Sequence, residues 1–125
     1  MKKDIENRAD IENLVNTFYQ KVQKDDLIAF FFDKVAQLNW EAHLPKMYDF
    51  WEMVIFGKGN FRGNPMRVHL DLHQKQKLEK KHCERWLLLF TTTVDELFEG
   101  QKAHLVKTRA LSIATVIQMK TFSMP

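Results

Sequence analysis

The chain has 125 residues and a mass of 14.9 kDa, which suits one soluble domain spanning residues 1–125. Its ten Phe, three Trp and two Tyr exclude a disordered tail, and only four Gly and three Pro favour helices over a turn-rich sandwich or barrel. The formal net charge of +3 is a mild excess, and Glu79 interrupts the basic run 75–81, so no nucleic-acid partner is predicted.

The first eight residues carry basic side chains but no apolar stretch behind them, so they do not resemble a secretory signal. The longest apolar run, Leu27 to Phe32, is far shorter than the roughly 20 residues that a membrane helix needs. The single cysteine, Cys83, permits no internal disulfide. We therefore expect a soluble, cytoplasmic protein with no membrane partner.

The first predicted helix covers about residues 10–23, with Asp10 as its cap. Apolar residues recur there at steps of three and four, which is the pattern of a helix with one buried stripe. The stripe consists of Ile11, Leu14, Val15, Phe18, Tyr19 and Val22. The apolar segment Leu27–Phe32 follows, and we predict a brief helix for it.

A second long stripe predicts another helix around Pro45. Because proline lacks a backbone N–H and clashes one turn back, this helix should begin near Leu44 or kink there. In either case His43 lies near a helix beginning. The stripe consists of Trp40, His43, Leu44, Met47, Phe50, Trp51, Val54 and Ile55.

The glycine-rich stretch 57–63 lacks the strand and spacing of a phosphate cradle, so an ordinary loop is expected. Asn64 and Pro65 are typical of a helix cap and first turn. Residues 66–72 alternate as a strand would, but no second strand is available to pair with, so a short helix is preferred. Two further helices are predicted over 83–98, ended by Gly100, and over 103–117. The predicted fold class is all-α.

Five histidines could carry chemistry: His43, His69, His73, His82 and His104. His69 and His73 stand four residues apart, which on a helix places both imidazoles on one face, as a zinc site could use. Zinc would need two more ligands, for which His82 and Cys83 are available only if the basic connector folds back. Cys83 lies on an apolar stripe, which favours a buried and inert thiol.

Four polar-tipped side chains fall on otherwise apolar helical stripes: Tyr19, His43, His69 and Trp86. Taken singly, each is more simply a core residue whose polar group reaches backbone or water. An iron-bearing apolar macrocycle would account for all four together, with one imidazole as axial ligand and the other donors on the opposite side.

At these residues the chain resembles the group III truncated haemoglobins, short bacterial globins. The resemblance covers nearly the whole chain, with several motifs in the order and spacing of the family. The matching segments are Phe18 to Val22, Asp26-Leu27 with Phe32, Trp40 to Met47 with Phe50-Trp51, Phe61 to Leu70, Glu84 to Phe90 with Thr93 to Phe98, and Ala110 to Ala114.

The resemblance implies a two-over-two helical sandwich around haem b, with His69 as the proximal iron ligand. It implies that Tyr19 and Trp86 are distal hydrogen-bond donors to a bound ligand. It also implies that His43 is a distal-helix histidine whose ring moves as a gate. If the helix were shifted by one turn, His73 would compete with His69 for the iron.

The remaining cofactor contacts are also implied by the resemblance. Phe32, Phe50 and Trp51 would be pocket aromatics, whose burial stabilises the holo protein. Lys46 and Arg67 are candidates for pairing with haem propionates, although an exposed pair contributes little.

Two strong distal donors predict tight binding of dioxygen and other diatomic ligands, which suits sequestration, sensing or redox chemistry better than delivery. A peroxidase-like or nitric-oxide-consuming enzyme is an alternative that would need an external reductase. A third alternative is a haem-free helical zinc or binding module, which rests on the His69 and His73 pair.

Overall fold

The computed structural model describes residues 2–58, 61 and 63–122. Within these residues the chain is helical and forms no strand, which confirms the all-α prediction. The α-helices are α1 (Arg8–Gln23), α2 (Trp40–Phe56), α3 (Pro65–Lys75), α4 (Lys80–Leu97) and α5 (Gln101–Phe122), with a π-helical turn at Phe31–Val35 between α1 and α2.

Helix α1 begins two residues earlier than predicted because Asn7, rather than Asp10, is its cap. The side chain of Asn7 accepts a hydrogen bond from the backbone N–H of Asp10 at 3.0 Å. The Asp10 carboxylate is instead bound by Lys3 at 2.7 Å. All six residues of the predicted α1 stripe are buried.

Helix α2 begins at Trp40, with Asn39 as its cap, and continues through Pro45. A beginning near Leu44 was therefore the wrong expectation. Pro45 is the sixth residue of α2, so the carbonyl of Glu41 lacks its usual helical donor, yet the helix continues to Phe56. The helix ends at Gly57, whose left-handed φ of 67° is available to glycine without steric cost.

The apolar segment before α2 contains a brief helical stretch, as predicted, but it begins at residue 29 rather than 27 and continues as a π-helical turn to Val35. Residues 26–28 form a turn, and the π-helical turn begins at Phe31. The turn is held by the Asp25 carboxylate, which accepts the backbone N–H groups of Leu27 and Ile28, each at 3.1 Å. A side-chain acceptor that satisfies two amides favours a tight turn over a continuing helix.

Helix α3 confirms the prediction of a helix rather than a strand after Asn64, whose side chain accepts from the N–H of Arg67 at 3.1 Å. Of the predicted loop 57–63, residues 59, 60 and 62 lie outside the described residues. Helix α4 begins three residues before Cys83, and α5 extends five residues beyond Ile117.

The helices pack in two layers, with α1 and α2 against α4 and α5, while α3 lies against α5. The core between the layers contains Phe18, Phe90, Val94, Val106 and Ala110, each no more than 2% exposed. None of the described helices combines the length and apolar character needed to cross a bilayer.

Candidate functional site

The centre of the candidate site is a contact between α1 and α2. The hydroxyl of Tyr19 lies 3.2 Å from Nε2 of His43, within hydrogen-bond distance. Tyr19 belongs to the buried stripe of α1 and is 8% exposed, and His43 lies in the first turns of α2. The two predicted distal residues therefore meet in the fold.

Both side chains of this contact are held in their neutral forms. Burial raises the pKa of the Tyr19 hydroxyl well above its ordinary value of 10.0. Burial lowers the pKa of His43 below 6.5, and the positive charges of Lys46 and His69 lower it further. Near pH 7 the site thus presents a phenol and a neutral imidazole, which can exchange donor and acceptor roles.

An aromatic wall surrounds the Tyr19 ring. The ring packs edge-on against Trp40 at 5.2 Å and against Phe32 at 5.9 Å between ring centroids. Phe32 in turn stacks on Trp40 at 5.8 Å. Trp40 was not among the predicted site residues, although its position three residues before His43 places the two on one helix face.

Trp86 lies at the end of a second aromatic group. Its indole is stacked on Phe90 with ring centroids 5.6 Å apart, and Phe90 is stacked on Trp51 at 4.9 Å. Phe18 touches both Tyr19 and Trp86, at 4.9 Å and 5.8 Å. The two predicted distal donors therefore contact the same buried ring.

The indole N–H of Trp86 is the second predicted distal donor. Among the residues that the structure describes, none accepts a hydrogen bond from it. The side chain is half-buried, and such indole groups normally find a hydrogen-bond partner. The indole N–H can therefore donate to a solvent molecule or to a small polar ligand.

His69 lies on α3, half-buried, between the exposed Val68 and the half-buried Leu70. Its charge lowers the pKa of His43, so the two imidazoles lie within electrostatic range of each other. Helix α3 thus brings the predicted proximal histidine to the same region as the distal pair.

His73 is engaged elsewhere. Its Nδ1 accepts a hydrogen bond from the backbone N–H of Leu78 at 2.9 Å, and this contact closes the connector between α3 and α4. His82 likewise accepts from the backbone of Glu79 at 2.9 Å. Within the described ranges, His, Cys, Asp and Glu form no group of three able to hold a metal, and the proposed zinc set is not assembled there.

The other predicted cofactor contacts are the aromatic residue Phe50 and two exposed basic residues, Arg67 and Lys46. Phe50 packs edge-on against Trp51 and against Phe61, each at 5.1 Å, and so extends the aromatic group of Trp86. Arg67 is exposed and pairs with Asp71 one turn along α3 at 3.3 Å. Lys46 is exposed and close enough to His43 to lower its pKa.

Comparison with known proteins places this geometry in a family. The model of the bacterial-like globin family matches residues 3–120. A group 3 truncated hemoglobin, ctb, from Campylobacter jejuni is 31% identical over 121 residues, which cover 94% of this chain and 93% of the relative. This chain belongs to the group III truncated haemoglobins.

The solved structures agree with this assignment. The crystal structure of the group III truncated hemoglobin from Campylobacter jejuni superposes with a TM-score of 0.86 at 27% identity, covering 98% of this chain and 97% of that one. Both the predicted family and the predicted truncated-globin fold are therefore confirmed. As a globin, this truncated haemoglobin is a haem-binding protein.

The described residues fit a haem group on chemical grounds. A half-buried imidazole on α3 can serve as an axial ligand, aromatic walls can bury a flat apolar ring, and the indole of Trp86 packs on the same aromatic core. Neutral His43 and Tyr19 add no charge that would oppose burial of the ring.

Proposed function

We propose that this truncated haemoglobin binds haem b through His69 and holds dioxygen and other diatomic ligands tightly with Tyr19 and Trp86. The observation that carries this proposal is the neutral Tyr19–His43 pair at 3.2 Å, formed within electrostatic range of His69. The proposed role is sequestration, sensing or redox chemistry rather than bulk oxygen transport.

When bound, haem would supply an iron atom able to take a diatomic ligand, and the residues of this chain would hold the ring and the ligand. We assign the proximal role to His69 because its half-buried imidazole on α3 lies within electrostatic range of His43. Phe32, Phe50 and Trp51 would form apolar walls against the bound ring and keep water from it.

Tyr19 has the proton and the partner that a distal donor needs. Its raised pKa keeps the hydroxyl protonated, and His43 is placed to accept the hydroxyl proton or to donate its own. When Nε2 of His43 carries no hydrogen, it accepts the hydroxyl proton of Tyr19. When Nε2 carries the hydrogen, it donates to the hydroxyl oxygen, and the hydroxyl proton is free to bond to the ligand. A change of the His43 tautomer can therefore switch Tyr19 between a resting contact and a ligand contact.

Trp86 supplies a second donor from the aromatic group that it forms with Phe90 and Trp51. Two donors directed at a polarised ligand each contribute about 1.5–3 kcal/mol when the ligand carries partial charge. That energy is lost only when the ligand leaves, so it slows dissociation. Tight holding opposes rapid delivery, which is why we propose a role other than transport.

Lys46 and Arg67 are proposed partners of the haem propionates. Lys46 lies near His43 on α2, and Arg67 lies on α3 two residues before His69. Both side chains are exposed, so each pair would add little to affinity and would serve mainly to orient the ring.

The oxygen dissociation rate of Tyr19→Phe tests this proposal. We expect dissociation about tenfold faster than in the wild type, because one donor is lost while the ring and its packing remain. Tyr48→Phe is the matched control, since the Tyr48 hydroxyl bonds to Asn16 away from His43. Equal rates in the wild type and Tyr19→Phe would remove Tyr19 from the distal role.

A further inference from the structure

Asp25 is a buried carboxylate that the distal site as described does not use. Its side chain is 4% exposed, although it follows α1 in an otherwise polar stretch of sequence. One oxygen, Oδ1, accepts a hydrogen bond from Nε of Arg85 at 2.7 Å. The other, Oδ2, accepts the backbone N–H groups of Leu27 and Ile28.

This single carboxylate joins α1 and α4, which carry the two proposed distal donors, to the segment that carries Phe32. Asp25 lies just after α1, which carries Tyr19. The turn that it caps leads directly into the segment of Phe32. Its partner Arg85 immediately precedes Trp86 on α4.

We propose that the Asp25–Arg85 ion pair is a positioning pair, which fixes the indole of Trp86 relative to the hydroxyl of Tyr19. This inference rests on the proposed distal role of Trp86. It concerns the accuracy with which the donor is held rather than the identity of the donor.

The packing of Trp86 explains why its indole needs an additional contact to hold its position. The indole is stacked almost parallel to Phe90, with an interplanar angle of 5°, and parallel faces allow a ring to slide. Phe18 touches it edge-on at 88°, which limits its tilt more than its sliding. A short charge-assisted bond one residue away resists the rotation or shift of α4 that would move the indole.

The chain contains a matched pair for comparison. Lys21 and Glu96 also join α1 to α4, at 2.8 Å. Glu96 lies ten residues beyond Trp86, which is about 15 Å along a helix. Loss of this pair removes an α1–α4 ion pair without touching the segment that carries the indole.

The test compares Arg85→Met with Glu96→Gln in the haem-loaded protein. We expect oxygen dissociation about tenfold faster in Arg85→Met and changed less than twofold in Glu96→Gln. Arg85→Lys, which keeps a cation near Asp25, should restore part of the slow dissociation. The double variant Arg85→Met/Trp86→Phe should release oxygen no faster than Trp86→Phe alone, because Arg85 acts through the indole.

A second readout follows the indole itself. In the ferrous carbon monoxide complex, the Trp86 indole N–H signal, assigned with Trp86→Phe, should shift and broaden in Arg85→Met and stay unchanged in Glu96→Gln. If Arg85→Met fails to fold, Asp25→Asn replaces it, since an amide oxygen can still cap the turn at Leu27 and Ile28.

The outcomes separate this inference from the proposed function. If Trp86→Phe releases oxygen faster but Arg85→Met releases it at the wild-type rate with an unchanged indole signal, the positioning role is wrong. Additive effects in the double variant would overturn it as well. If Trp86→Phe itself leaves dissociation unchanged, the distal role of Trp86 fails, and the indole signal alone then decides whether the ion pair positions the ring.

Discussion

His43 and Tyr19 form a contact whose strength depends on the charge of an imidazole. A protonated imidazole cannot accept the phenol proton, and partial burial disfavours its charge. The folded state therefore binds this proton less readily than the unfolded chain, in which the histidine has a pKa of 6.5. Stability contributed by neutral His43 is present above that pH and is lost as the pH falls toward the lowered folded pKa.

We therefore predict that the midpoint of urea unfolding depends on pH, and that this dependence becomes weaker when His43 is replaced. Between about pH 7.5 and about pH 5.5 the wild type should lose stability, and His43→Gln should lose less of it over the same range. Urea unfolding at the two pH values measures the difference. His104→Gln, at an exposed histidine, serves as control, and equal pH dependence in His43→Gln and the wild type would contradict the prediction.

The amino-terminal segment constrains the backbone at the beginning of α5. At the beginning of α5 the Asp4 carboxylate accepts the N–H groups of Lys102 and Ala103, each at 2.9 Å. Gly100 has a φ of 145°, and a Cβ placed there would lie 2.5 Å from Cγ of Asp4. The amino-terminal segment thus packs directly on the turn between α4 and α5.

This packing predicts a difference between two glycine substitutions. Gly57→Ala should cost about 1–2 kcal/mol, because its left-handed φ is strained for alanine although nothing lies within 4 Å of the new Cβ. Gly100→Ala should cost more, since it must also displace Asp4 and weaken the cap of α5. Chemical denaturation of both variants compares them, and a smaller loss for Gly100→Ala would contradict this view of the turn.

At the scale of elements, the apolar stripes predicted α1, α2, α4 and α5, whereas α3 was predicted from Asn64-Pro65 and from the lack of a second strand. Caps and distant partners set the boundaries. The stripe of α1 was visible at steps of three and four, but its first residue depended on Asn7. The six apolar residues of 27–32 have no periodicity that separates an α-helix from a π-helical turn. Their conformation depends on Asp25, whose partner Arg85 lies 60 residues away in the sequence.

For the whole molecule, the two-layer packing brings together side chains that the sequence shows only as separate polar tips on apolar stripes. The resemblance to a family identified Tyr19, His43, His69 and Trp86 as one set, and the fold joins Tyr19 to His43 directly. Trp40 and Phe18 lie in matching segments, but the resemblance assigned them no role at the site, because their contacts with Tyr19 and Trp86 depend on helix packing.

The role of His69 as proximal ligand is the central claim, and the optical spectrum of the ferrous protein, with and without carbon monoxide, tests it most directly. The wild type should show an intense haem absorption band that shifts when carbon monoxide binds. His69→Ala should retain little haem, whereas His73→Gln, which alters the connector contact to Leu78, should keep the wild-type spectrum. Full haem retention and an unchanged spectrum in His69→Ala would contradict the account.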